Sequence, residues 1–238
     1  MPEARLRPGK TASPGARRLT KAAALSRILS GAERVFAEAG LAGATMAEIA
    51  AAADLPKANV HYHLATKEGV YRAVLEDILA FWLDASDHIR PGAEPRVALS
   101  CYIRAKMRMS RVRPYASKVF ANEVLHGAPI MRSYLGEQLR RKVEEKAAIL
   151  EEWMAQGLMA RADPRHLFFL IWAMTQTYAD FDVQIGAVLG LEKIGDQEFA
   201  DGEALIVQLV LRGCGIMPEE PPEADVKQRE MSMGESGA

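Results

Sequence analysis

Apolar residues along this chain return every three to four positions, the spacing of one face of a helix, and strand-like alternation bounded by turn residues is hard to find. The breaks predict about nine helices and no sheet. One helix runs from about Lys21 to Ala39, with Leu25, Ile28, Leu29, Ala32, Val35 and Phe36 on its apolar side and Gly40 as its stop. Thr45 followed by Glu48 is a capping box, so a second helix starts there and ends near Ala53. A third spans Pro56 to about His63, since proline costs little in a first turn. Thr66 caps a fourth, from Lys67 to about Ile89, closed by Arg90-Pro91-Gly92.

Beyond Pro95 the helices are longer. One runs to Arg111, another from Tyr115 to about His126, and a third from Ile130 to Gln156. Asp163-Pro164 opens a helix carrying HLFFLIWAMTQTYADFDVQIGAVLG. The last spans about Asp196 to Arg212, where Leu205, Ile206, Leu209 and Val210 form a broad apolar stripe. The expected organisation is all-α. It has an arm over 1–20, a helix-turn-helix unit over 21–70, a larger helical domain over 71–213, and a tail over 214–238.

Composition narrows the function classes. The chain has 238 residues, 49% hydrophobic, enough for a sizeable core, and its net charge of −1 indicates no partner by itself. The distribution is informative. Arg5, Arg7, Lys10, Arg17, Arg18, Lys21 and Arg27 face a single acid, Glu3, at one end, and an acidic run follows Pro218 at the other. A basic arm fits a nucleic-acid contact, and both ends also fit solvated, flexible termini. Cys101 and Cys214 stand apart, outside any metal-ligand or disulfide pattern. No signal peptide or membrane span is expected, so a cytoplasmic protein is the default. The sequence lacks GxSxG, a phosphate loop and HExxH. Glu-x-x-His occurs once, Glu123 to His126, where a carboxylate-bridged metal site needs it twice. No enzyme, cofactor or metal is expected.

The dense stretch is PKANVHYHL. Two short helices joined by a tight turn form a helix-turn-helix, whose second helix enters the major groove. Asp54 occupies the turn, where a left-handed backbone suits aspartate better than most side chains, and small Ala50 and Ala51 allow the helices to cross closely. Lys57, Ala58 and Asn59 then lie where base edges would be. Lysine donates to guanine, asparagine pairs with adenine, and the alanine methyl suits thymine. The rings of His61, Tyr62 and His63 suit phosphate oxygens, and Thr45 and Lys67 stand at helix N-termini that favour anions. Each residue also has a bland reading. Asn59 fits a local cap and Tyr62 fits core, while His61 and His63, two apart, make a poor metal pair.

AERVFAEAGLAGATMAEIAAAADLPKANVHYHLATKEGVYRAVL resembles the DNA-binding domain of the TetR family of bacterial transcriptional regulators. The family usually has glycine at Asp54, serine or threonine at Pro56, tyrosine at His61 and His63, and phenylalanine at Leu64. The segments ILAFWL, YIRAKMRMSR, PYASKVFANEVLHGAP and IWAMTQTYADFDVQIGAV resemble the ligand domain of a pyrimidine-responsive branch of that family. The resemblance implies an all-helical homodimer on a palindromic DNA operator, with uracil or thymine as the effector that loosens DNA binding. It also implies that the last two helices of each subunit form the dimer interface.

Candidate ligand residues fit that expectation. Trp172, Gln176 and Ala179 share a helix face, and Asp180 lies one turn beyond Gln176. A glutamine amide complements the C=O and N–H groups of uracil, indole and phenyl faces stack on a flat ring, and a lysine donates to a carbonyl. Phe81, Trp82 and Lys106 are the further candidates. Phe81, Trp82 and Trp172 equally fit ordinary core, and Gln176 fits a dimer contact. Leu167, Leu170, Ile171, Met174 and Phe181 are assigned to core or interface. The rival reading is a regulator of the same family with a larger hydrophobic ligand.

Overall fold

In α1, Lys21–Gly43, the helical spacing of apolar residues buries Ile28, Ala32 and Phe36 and leaves the opposite face in water. Thr20 caps it by accepting from the Ala23 N–H. The helix yields at Gly40, whose φ of 66° lies in the left-handed region. The computed structural model describes residues 20–217, so the expected arm and most of the acidic tail lie outside the described residues.

The remaining elements are α2 Met46–Ala52, α3 Lys57–His63, α4 Lys67–Asp84, α5 Pro95–Val112 and α6 Pro114–Leu125, then α7 Arg132–Tyr134, α8 Arg140–Ala155, α9 Pro164–Asp180, α10 Asp182–Leu189 and α11 Asp196–Gly213. Among the described residues all regular structure is helical.

Three boundaries depart from expectation. The fourth helix stops at Asp84 and tightens into a 3-10 turn, Ala85–His88. The helix expected over 130–156 carries a π-helical turn at Leu135–Leu139, between α7 and α8. The long apolar helix after Pro164 breaks at Phe181 (φ −121°, ψ 32°) into α9 and α10. Periodicity continues through such local faults, so it does not reveal them.

Two apolar clusters organise the molecule. The first gathers α1–α4 around Phe36, Val60, Tyr71 and Leu75, and it extends into Leu79, Ala116, Val119 and Met131. The second gathers α5, α8, α9 and α11 around Leu99, Ile103, Leu150, Phe168 and Ile171. Cys214 and Ile216, assigned by sequence to the tail, are buried in this second cluster. Trp82 packs against both clusters. α6 lies between them, touching α1 on one side and α9 on the other.

A third set of apolar side chains stays uncovered. Leu170, Phe181, Val183, Val188, Leu205 and Leu209 are exposed along α9, α10 and α11, while Leu167, Ile171, Ile206 and Val210 on the inner faces are buried.

Candidate DNA-binding and ligand sites

Burial of Val60 fixes α3 against the first cluster and turns Lys57, Ala58, Asn59, His61 and Tyr62 outward. Tyr62 is 80% exposed, so it is not core. His63 is half-buried and meets the Tyr62 ring edge-on at 5.3 Å. His61 Nδ1 lies 3.1 Å from the Ala65 carbonyl.

The turn before α3 is built as the sequence suggests, with Asp54 at φ 50°. Arg27 secures it, donating from Nε to the Ala53 carbonyl at 2.9 Å and from Nη2 to Asp54 Oδ2 at 2.6 Å. Of the alanine pair, Ala50 is buried and Ala51 is exposed. A separate close approach is made by Gly31 on α1, where a Cβ would lie 2.7 Å from the Ala53 nitrogen at the end of α2.

The two expected flanking contacts are engaged within the domain. Thr45 exchanges hydrogen bonds with Glu48 in a full capping box, its hydroxyl donating to Oε2 at 2.8 Å and accepting from the Glu48 N–H at 3.2 Å. Lys67 Nζ donates to the carbonyls of Ala44 at 2.9 Å and Ala42 at 3.2 Å.

The second site is a cavity of about 70 Å³ between α4, α5, α6, α8 and α9. Trp82, Lys106, Trp172 and Gln176 line it, as do Tyr102 and Phe120, which sequence reasoning missed. Tyr102 is one helical turn before Lys106, so helical spacing from that lysine is the signal that could have found it. Nothing in the local pattern marks Phe120, which meets Trp82 edge-on at 4.8 Å. Phe81 and Asp180 do not line the cavity. The Phe81 ring instead lies 5.1 Å from the Arg113 guanidinium carbon.

Three polar features shape the cavity. Trp172 Nε1 donates to the Tyr102 hydroxyl at 2.7 Å. Lys106, only 4% exposed, holds Nζ 4.2 Å from the centre of the Trp82 ring and donates no hydrogen bond among the described residues. Burial pushes its pKa down to about 7, partly offset by the nearby Asp180 carboxylate. At the far end, Lys142 and Lys146 line the wall and bind Asp87 at 2.8 and 3.3 Å.

Asp180 lies behind this wall. Its Oδ1 is buried without a hydrogen bond among the described residues, and burial raises its pKa despite Ser117, Lys118 and Lys106 nearby. The Ser117 hydroxyl beside it is likewise buried outside hydrogen-bond geometry. Glu123, the acid of the lone Glu-x-x-His, accepts from the N–H groups of Ile130 and Met131 at 2.7 and 3.0 Å, a structural role. No group of three or more metal-ligating side chains occurs among the described residues, and no described helix is long and apolar enough to cross a membrane.

The family model for bacterial regulatory proteins of the tetR family matches residues 28–74, and that for the C-terminal region of YcdC-like proteins matches 75–217. The HTH-type transcriptional regulator RutR of Escherichia coli (strain K12) is 39% identical over 182 residues, which cover 76% of this chain and 86% of that protein. A solved Clostridium perfringens structure, a candidate fatty acid metabolism regulator, superposes with a TM-score of 0.65 at 20% identity, covering 81% of this chain and 100% of the other. The TetR family regulator PfmR of Thermus thermophilus superposes at 0.62 and 19% identity, covering 82% and 97%. Regulators of this kind bind DNA as dimers and respond to small-molecule effectors. With both halves matched, the chain belongs to the TetR family of bacterial regulators: it is a DNA-binding transcriptional regulator and not an enzyme.

Proposed function

We propose that this regulator releases a palindromic operator when uracil or thymine enters the cavity beside Trp172 and Gln176. The observation that carries the reading is the composition of that cavity. Indole and phenyl faces make an apolar slot for a flat ring, and Gln176, Lys106 and Tyr102 supply polar groups at its edge. The likeness to RutR points to the same effector class.

Size favours it over the rival ligand. A volume of about 70 Å³ is far below the roughly 300–1,000 Å³ of sites that hold drug-sized molecules. A long acyl chain or sterol has no room without opening the wall held by Asp87 and the two lysines.

The response path follows from packing. The ligand touches Trp82 on α4 and Phe120 on α6. α4 leads directly to the helix-turn-helix, and α6 packs on α1. Moving either one changes the separation of the two recognition helices in a dimer. Half-sites lie about 34–36 Å apart, so a small change breaks simultaneous docking. A coupling of about 1–3 kcal/mol is enough for regulation. On the DNA side, Lys57, Ala58 and Asn59 are proposed for base edges and His61, Tyr62 and His63 for phosphates, with Thr45 and Lys67 bracing the flanks. The exposed stripe on α9 and α11 is proposed as the dimer face.

A thermal melt tests the effector. At about one hundred times its dissociation constant a ligand stabilises by about 2.7 kcal/mol, which moves the melting temperature by roughly 5–11 °C in a chain of this size. Uracil or thymine is expected to produce that shift, and cytosine none. No shift with any base, together with a shift from an acyl compound, would replace this reading with the larger apolar effector.

A further inference from the structure

The Tyr102 hydroxyl has one hydrogen bond among the described residues, and in it the oxygen is the acceptor. Trp172 Nε1 donates that bond at 2.7 Å, so the indole N–H is spent and unavailable to a ligand. The phenol proton remains. A phenol carries one donor as well as acceptor lone pairs, and no described residue accepts this one. Tyr102 is 3% exposed, so bulk water does not serve it freely. Its ring is held by an edge-on contact with Phe168 at 5.9 Å, and the residue forms part of the cavity wall. A buried donor left without an acceptor costs free energy until something supplies one.

Resting on the pyrimidine reading above, we infer that Tyr102 is the specificity-determining donor of the cavity, giving its O–H to a carbonyl oxygen of the bound ring while Trp172 fixes the hydroxyl's direction. Trp172 therefore acts at one remove, orienting Tyr102, and contributes its face to the slot. Burial also raises the Tyr102 pKa, so the phenol stays protonated and remains a donor throughout the physiological range. A ring presenting C=O at this point satisfies the proton. A ring presenting an amino group there offers no acceptor, so the buried phenol proton stays unpaired and that ring is disfavoured.

Calorimetric titration of the full chain with uracil, 2-thiouracil and 4-thiouracil tests the assignment. Sulfur is the weaker acceptor, so the wild type is expected to bind one thio analogue about tenfold less tightly than uracil. In Tyr102→Phe, which keeps the ring and its Phe168 contact, uracil is expected to weaken by about tenfold and the penalty for that analogue to disappear. A merely structural tyrosine would leave the uracil-to-thiouracil ratio the same in both proteins, and that result overturns the inference. Equal wild-type affinity for all three ligands overturns it too. Absence of any pyrimidine binding by the wild type would remove the proposed effector as well, whereas binding with an unchanged ratio removes only the role of Tyr102. Should Tyr102→Phe fail to fold, 3-fluorotyrosine at position 102 replaces it. Its more acidic phenol is expected to bind uracil several-fold tighter, and unchanged or weaker binding overturns the inference.

Discussion

Arg113 Nη2 lies 2.6 Å from Glu33 Oε2, joining the residue between α5 and α6 to the middle of α1. The same nitrogen reaches Asp77 Oδ2 on α4 at 2.8 Å, so one guanidinium holds both long helices of the DNA-binding half. Glu33 is 7% exposed, and burial raises its pKa against the pull of Arg113. Arg113→Met removes the partner and leaves a buried carboxylate. A loss of about 3 kcal/mol is expected in urea unfolding, with effector binding retained but its effect on operator affinity reduced. A variant that unfolds like the wild type and responds fully to effector would show that the coupling runs elsewhere.

Lys106 makes the stability depend on pH. Its folded pKa, about 7, is below its ordinary 10.5. Between those values the unfolded chain binds a proton that the folded one does not, so stability rises with pH. The slope approaches about 1.4 kcal/mol per pH unit for one proton, and the full penalty is present below pH 7. Comparing wild type and Lys106→Met in urea at several pH values isolates this group, and the variant is expected to be the more stable near neutrality. Parallel curves for the two proteins would mean that Lys106 stays charged in the fold.

Lys57→Ala and Asn59→Ala are each expected to weaken operator binding by about 1–3 kcal/mol, roughly fivefold to 150-fold. Fluorescence anisotropy with labelled operator measures this. Effector binding, measured separately by calorimetry, should not change. Normal operator affinity in both variants would move base reading off the start of α3.

Gly31→Ala places a methyl group 2.7 Å from the Ala53 nitrogen and 2.8 Å from the Ala52 carbonyl carbon. Both are backbone atoms and cannot rotate away. Overpacking of this kind costs about 1–3 kcal/mol, and because it pushes on the turn before α3 a lower operator affinity is expected with it. Wild-type melting temperature and affinity would show that α2 shifts at no cost.

The helix-turn-helix was legible because its signals are local. The Thr45–Glu48 box, the Asp54 turn and the buried Val60 each depend on residues within a few positions. The cavity was legible only in part. Trp82, Lys106, Trp172 and Gln176 could be named from helical spacing and residue type, and they come together. Phe81 fits the same pattern but faces Arg113, since neighbours on one helix point to different partners. Asp180 follows Gln176 by one turn yet lies behind the wall. Arg113, Phe120 and the Asp87–Lys142 pair depend on contacts between distant segments, which spacing along one helix does not encode.

Trp82 belongs to both apolar clusters, and this ties the fates of the two halves together. Whatever stiffens the cavity around that indole also withdraws freedom from α4 and the helices packed on it. The recognition helix should therefore become harder for a protease to reach when the effector is bound, although no effector atom touches it. The same binding that lowers the fit to DNA would lengthen the life of the DNA-binding half. On the proposed reading, the effector-bound regulator would outlast the same protein free of both effector and DNA.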